Sequence, residues 1–311
     1  MAQLRGVIAA AATPVKGDLT IDLDHLVRHC AWLLGKGGCD GINLLGTTGE
    51  ATSFSTEQRL AAMRAVAGAG LPLDRFMVGT GAAALDDAVR LTAEAKALGF
   101  AGALLLPPFY YKGIDAEGLL DYVDTLARRV GRDGLKLYLY HFPANSGVPY
   151  TADVVARLRD GLPDALLGLK DSSGDLDYAA GLVRRLPGFD VFPSAEASLA
   201  RAGELGFAGC ISATANVTGP FAQAGWSGKD AAARAAGLAA AVEIRAAIAK
   251  FPLVAAVKAS LALLTGEAAW RRMMPPLCEL TTDKAALLGQ ALAATELKSK
   301  LNPEKAFAQS A

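Results

Sequence analysis

Short aliphatic runs recur at a steady interval along most of the chain, separated by longer amphipathic stretches, and few folds accept that rhythm. GVIAAAATPV, GINLLG, RFMVGTG, GALLLPP, KLYLYHFP, ALLGLKDSS, FDVFPSA and GCISATAN make eight strand-like segments, the last ending at Asn216. The intervening stretches read as helices. In DHLVRHCAWLLGKG, Leu26, Val27, Cys30, Leu33 and Leu34 recur at helical spacing and glycines follow the last turn, the pattern of a core-facing helix. A strand-to-strand interval of roughly 30 residues suits βα units closed into a barrel, a fold that commonly takes about 250 residues. The sequence therefore predicts a (β/α)8 TIM barrel, in preference to the doubly wound sheet that βα alternation alone also allows.

After Asn216 the chain turns helical, through KDAAARAAGLAAAVEIRAAIAK, PLVAAVKASLALLTG and DKAALLGQALAATEL. We place the barrel at residues 1–225 and a C-terminal helical extension packed on it at 226–311, with the first part of the alanine-rich stretch read as the eighth barrel-helix region. The polar stretch from Lys298 to Ala311 reads as a loosely held tail.

Charge excludes some partners. The 31 basic and 31 acidic side chains balance, so no strong field draws the chain to nucleic acid or to an anionic membrane. Cys30, Cys39, Cys210 and Cys278 are scattered without a C-x-x-C pair, which argues against a disulfide framework and against zinc and fits a reducing cytoplasm. The apolar N-terminal run is too short to span a membrane and reads as a first strand, not a signal peptide. His25 and His29, spaced i, i+4, lack a third ligand and read as residues of a solvated helix face, so no metal is expected. GTGAAA, at 79–84, has the outline of a dinucleotide loop but sits on the third strand, with no acidic residue ending the next strand to hold a ribose.

The chemistry concentrates at strand ends. Alternation along ALLGLKDSSGD puts Gly168, Lys170 and Ser172 on one face and Leu167, Leu169 and Asp171 on the other. The leucines suit the helix layer, so Lys170 points into the barrel near the C-terminal end of its strand, where active sites of this fold lie. A buried lysine is costly unless it is salt-bridged or functional; desolvation disfavours the ammonium, and the free amine can attack a carbonyl. In KLYLYHFP the same alternation puts Tyr138, Tyr140 and Phe142 on one face, with Tyr140 positioned either as a core aromatic or as a proton relay. His141, between them, points away toward the helices. GTTGE, Gly46 to Glu50, offers hydroxyls and glycine amides suited to a carboxylate, though such residues are common in any turn.

Taken together and in order, GTTGE, PPFYYKG, LYHFP and GLKDSSGD resemble the dihydrodipicolinate synthase and N-acetylneuraminate lyase family, from about Gly6 to the PPL at Pro275–Leu277. The resemblance implies that Lys170 forms a Schiff base with pyruvate or another 2-oxo acid, that Tyr140 shuttles protons, that Thr47 links tyrosines in a relay, and that Thr48 and Gly46 belong to the loop holding the 2-oxo acid carboxylate. It implies that Tyr111 enters a neighbouring subunit's site, with Tyr110 packing beside it, in a homotetramer built as a dimer of dimers. Ile211 matches a residue beside bound pyruvate, and Gly209 a close backbone approach next to it.

Two departures bear on the substrate. Where dihydrodipicolinate synthases carry an arginine after the tyrosine strand, PANSG has Asn145; where N-acetylneuraminate lyases carry an acidic pair, SAEAS has Glu196 followed by Ala197. PANSG and KDSSGD are more similar to segments of 4-hydroxy-2-oxoglutarate and 2-keto-3-deoxy sugar acid aldolases. The expected activity is cleavage of a 4-hydroxy-2-oxo acid to pyruvate and an aldehyde, without a cofactor. Dehydration of a 2-keto-3-deoxy sugar acid, 4-hydroxy-tetrahydrodipicolinate synthesis and non-catalytic 2-oxo acid sensing are the alternatives.

Overall fold

The aliphatic runs become strands in the computed structural model, which describes residues 4–301. They are β1 (Gly6–Ala10), β2 (Gly41–Leu44), β3 (Phe76–Gly79), β4 (Gly102–Leu105), β5 (Leu137–His141), β6 (Leu166–Asp171), β7 (Asp190–Pro193) and β8 (Gly209–Ser212). Neighbours pair in parallel from β1 through β7, β8 pairs with β1, and the Ala208 N–H donates to the Val191 carbonyl of β7 at 3.0 Å. That last contact brings the two ends of the sheet together, so the chain is a (β/α)8 barrel and not an open doubly wound sheet.

Helices α1 (Leu23–Leu34), α2 (Thr56–Gly68), α3 (Leu85–Leu98), α4 (Ala116–Val130), a short α5 (Pro143–Ser146), α6 (Ala152–Gly161), α7 (Leu176–Arg185) and a short α8 (Ala202–Leu205) alternate with the strands. Several start where a short polar side chain accepts from the first turn: Asp22, Ser55, Asp115, Thr151 and Asp175. Their apolar faces cover outward strand residues such as Val7, Ile42, Leu139 and Leu169, giving the barrel its outer core.

Inside the barrel, Ile8, Met77, Leu104, Tyr138, Phe192 and Ile211 pack together below the C-terminal mouth. Tyr138 fits because it is flanked by Gly102 and Gly168, where a Cβ would come within 2.7 and 2.8 Å of its ring. One expected orientation is reversed. A register shift in the β5–β6 pairing places Leu137 opposite Leu166 but Tyr138 opposite Gly168, and the extra residue, Leu167, packs against the lumen cluster instead of the helices. Alternation resumes at Gly168, so the inward side of Lys170 is preserved.

The C-terminal region also differs from expectation. The eighth helix is α9 (Ala215–Ser227), which runs directly from β8 and includes Pro220; the alanine-rich stretch forms a separate helix, α10 (Ala231–Ile248), packed on it. Gly219 and Pro220 gave that segment the look of a break. α11 (Leu253–Thr265) and α12 (Thr282–Ala293) follow, and their apolar faces join Ile244, Ile248 and Trp270 in a further core that reaches Ala12 and Val217.

This layer explains why His25 and His29 are buried and not on a solvated face. Both rings meet Trp270 edge-on, with centroids 4.5 and 4.7 Å away, His25 pairs with Glu267 at 2.9 Å, and His29 Nε2 donates to Asn216 Oδ1 at 2.9 Å. The four cysteines are free, three of them buried. Among the described residues no single helix is long and apolar enough to cross a membrane. Most of the expected tail, 302–311, lies outside the described residues.

Candidate active site

Lys170 and Tyr140 are direct partners in the β5–β6 register, one step from the ends of their strands. Their side chains share the lumen face, and Lys170 Nζ lies 4.2 Å from the centroid of the Tyr140 ring. Both are buried. The Tyr140 hydroxyl is 3.2 Å from Thr47 Oγ1. Burial alone would raise the phenol, but the neighbouring Lys170 charge and the hydroxyls of Thr47 and Ser172 outweigh it and bring Tyr140 below the ordinary phenol range.

Thr47 arrives there through a constrained loop. Leu45 and Glu50, at either side of it, have left-handed backbones with φ of 53° and 54°, an unfavourable region for residues with a Cβ. Glu50 is fixed by interactions that sequence reading missed. Its carboxylate pairs with buried Lys258 of α11 at 2.5 Å and accepts from the Met274 N–H at 2.7 Å. Burial pulls the Lys258 ammonium below the ordinary lysine range while Glu50 opposes the shift. The GTTGE loop is thus tied to the C-terminal helices by an ion pair spanning 208 residues of sequence.

A cavity of about 760 Å³ opens above these groups. Thr47, Thr48, Tyr140, Asn145, Lys170 and Ile211 all line it. Gly46 lines an adjoining cavity of about 330 Å³, which shares Thr47, Tyr140 and Asn145 with the first. Gly209 lines neither. It is the first residue of β8, opposite Gly6, with φ +145° and space for a Cβ only 1.9 Å from the Gly6 carbonyl, so its role is the close approach of β8 to β1. Tyr111 also lines neither cavity; it is 72% exposed and meets the 74% exposed Tyr110 edge-on at 5.3 Å. His141 faces the helices as expected, stacked on Tyr178 and accepting from the Tyr150 N–H at 3.1 Å.

Beyond the PPL at Pro275–Leu277, sequence reading did not point to the C-terminal wall. Met273, Pro276, Leu277 and Leu280 line the cavity, as do Ser194, Ala213 and, from α10, Arg245. Arg245 Nη1 donates to Glu196 Oε2, Ser212 Oγ and Thr214 Oγ1 at 3.2, 3.1 and 2.9 Å. Glu196, fully buried, accepts from the Thr214 and Thr218 hydroxyls on its other oxygen.

Barrel and cavity define an α/β-barrel protein with a buried lysine and a phenol side by side at the strand ends, under a cavity of about 760 Å³. The model of the dihydrodipicolinate synthetase family matches residues 3–295, and the chain belongs to that family. It is 36% identical over 217 residues to a 4-hydroxy-tetrahydrodipicolinate synthase of Thiobacillus denitrificans, covering 68% of this chain and 70% of the relative. An uncharacterized DapA-like lyase of Chloroflexus aurantiacus is 35% identical over 225 residues, covering 72% and 74%. The crystal structure of dihydrodipicolinate synthase from Agrobacterium tumefaciens superposes with a TM-score of 0.85 at 30% identity, over 94% of this chain and 99% of that one. A variant of the Sulfolobus solfataricus 2-keto-3-deoxygluconate aldolase shares the fold, with a TM-score of 0.83 at 22% identity over 95% and 97% of the two chains.

Proposed function

We propose that this protein is a class I lyase that forms a Schiff base between Lys170 and a 2-oxo acid and reversibly cleaves a 4-hydroxy-2-oxo acid to pyruvate and an aldehyde. The observation that carries the reading is the apposition of Lys170 Nζ and the Tyr140 ring on paired strands beneath a cavity. The amine attacks C2, the carbonyl oxygen leaves as water, and the resulting iminium is the electron sink, so no metal or other cofactor is required. Loss of the 4-hydroxyl proton to Tyr140 then breaks the C3–C4 bond. The aldehyde departs, and the bonding pair becomes the enamine. Protonation at C3 and addition of water return pyruvate and the free lysine.

Thr47 relays protons through its contact with Tyr140, Thr48 and the GTTGE amides hold the α-carboxylate, and Ile211 packs beside the bound acid. Asn145 faces the other half of the substrate. Exposure of Tyr111 supports its completing the site of a neighbouring subunit in a homotetramer, and four free, scattered cysteines support work in a reducing cytoplasm. A panel of 2-oxo acids assayed for pyruvate release tests the reading. Release from hydroxylated acids supports it, release of water without carbon–carbon cleavage identifies a dehydratase, and binding without turnover of any acid overturns it in favour of a sensor.

A further inference from the structure

The reading above leaves the far end of the cavity without a role. It is cationic: Arg245 and Lys284 line it with a single carboxylate, Glu279, and Glu279 pairs with Arg271 at 3.3 Å. Arg245 is held in an unusual way. All of its hydrogen bonds among the described residues leave from Nη1, to Glu196, Ser212 and Thr214. Nε and Nη2 donate to nothing there, and the side chain is 23% exposed, on the cavity side. One corner of the guanidinium is therefore locked by three oxygens while its Nε–Nη2 edge, the fork that pairs with a carboxylate through two parallel hydrogen bonds, remains open. A long side chain anchored in this manner loses little further entropy on binding an anion.

We infer that Arg245 is the specificity residue for a second carboxylate, so that the cavity takes 2-oxo diacids with one end at Lys170 and the other on the Arg245 fork. This rests on the Schiff-base reading for the first end only. Glu196 tunes the fork: its buried carboxylate neutralises part of the Arg245 charge while fixing its direction, and the Thr214 and Thr218 hydroxyls hold Glu196 in turn.

The test compares two acids of equal carbon number, 2-oxoglutarate and 2-oxopentanoate, which differ in whether the far end is a carboxylate or a methyl group. Each is titrated in borohydride trapping on Lys170 and, separately, by calorimetry without borohydride, with pyruvate as the control. Because Arg245→Met alone strands a buried carboxylate, the methionine change is made together with Glu196→Gln and compared with Glu196→Gln alone. The unmodified protein is expected to half-saturate with 2-oxoglutarate at a concentration about ten-fold or more below that for 2-oxopentanoate. Glu196→Gln widens that ratio, and the double variant brings it to within about two-fold. Equal affinity for the two acids in the unmodified protein, or a preference that survives the double variant, overturns the inference. Failure of pyruvate to trap on Lys170 instead overturns the Schiff-base reading, and the calorimetric ratio then judges the Arg245 fork by itself.

Discussion

Lys170 and Tyr140 face one another across paired strands, the amine 4.2 Å from the ring centroid, while the phenol reaches Thr47 Oγ1 at 3.2 Å. Borohydride added with pyruvate should therefore reduce an imine to a stable secondary amine on Lys170, located by mass spectrometry. Lys258 is held by Glu50, and Lys112 folds onto the carbonyls of Phe109 and Ser146, so neither should be labelled. Lys170→Ala should abolish turnover. Lys170→Arg should abolish it as well, because a guanidinium stays charged and forms no imine. An adduct found only on Lys112 or Lys258 would sink the mechanism.

The same pair sets a pH response. Burial raises the Tyr140 phenol, and the Lys170 charge together with the Thr47 and Ser172 hydroxyls lowers it further than that, to a net position below the ordinary value of 10. If the phenolate accepts the 4-hydroxyl proton, kcat/KM rises with pH through this ionisation. Thr47→Val removes one lowering interaction, so the rising limb should move to higher pH, whereas Tyr140→Phe should abolish the limb and lower kcat/KM by about two decades above it. A limb that stays in place in Thr47→Val argues that Tyr140 is not the group being titrated.

The position of Lys170 and Tyr140 was legible because both depend on two-residue alternation within a single strand, which survived even the bulge at Leu167. The bulge itself was not legible, since a register shift is set by the partner strand. Arg245 and Glu196, 49 residues apart, and Glu50 and Lys258, 208 apart, meet only after the C-terminal helices fold over the barrel mouth. No local pattern marks such pairs. Gly209 was legible as a close backbone approach, and the partner it approaches is Gly6 of β1. His25 and His29 looked solvated because the helix pattern could not reveal that Trp270 would cover them.

That covering has a thermodynamic consequence. Burial depresses the His29 imidazole to about 4 from 6.5, with the Asn216 hydrogen bond opposing and His25 adding to the depression. Burial likewise takes His141 to about 4. Below pH 6.5 the unfolded chain binds protons that the folded chain refuses, so the stability these rings contribute is complete above that pH and lost as pH falls toward 4. The loss should be on the order of 3 kcal/mol for each ring. His29→Gln keeps a donor for Asn216 Oδ1 and cannot titrate, so denaturant midpoints measured between pH 7 and 4 should fall less steeply in that variant. An identical pH profile would mean that His29 is protonated as readily folded as unfolded.

Substrate choice turns on Asn145, whose exposed amide lines the cavity beside Phe142. An amide offers two donors without charge and cannot replace a bidentate arginine on a carboxylate. Losing a charge-assisted contact of that kind costs about 1.5–3 kcal/mol, or roughly one to two decades in kcat/KM. Arg245 is a poor substitute for aspartate semialdehyde, because the ammonium beside that carboxylate would face the cationic end of the cavity. Condensation of pyruvate with the semialdehyde should therefore be weak and cleavage of hydroxylated 2-oxo acids stronger. Asn145→Arg should move the ratio of the two kcat/KM values toward the semialdehyde by one to two decades. Efficient condensation by the unmodified protein would show that Asn145 does not decide the substrate and that another cavity residue holds the carboxylate.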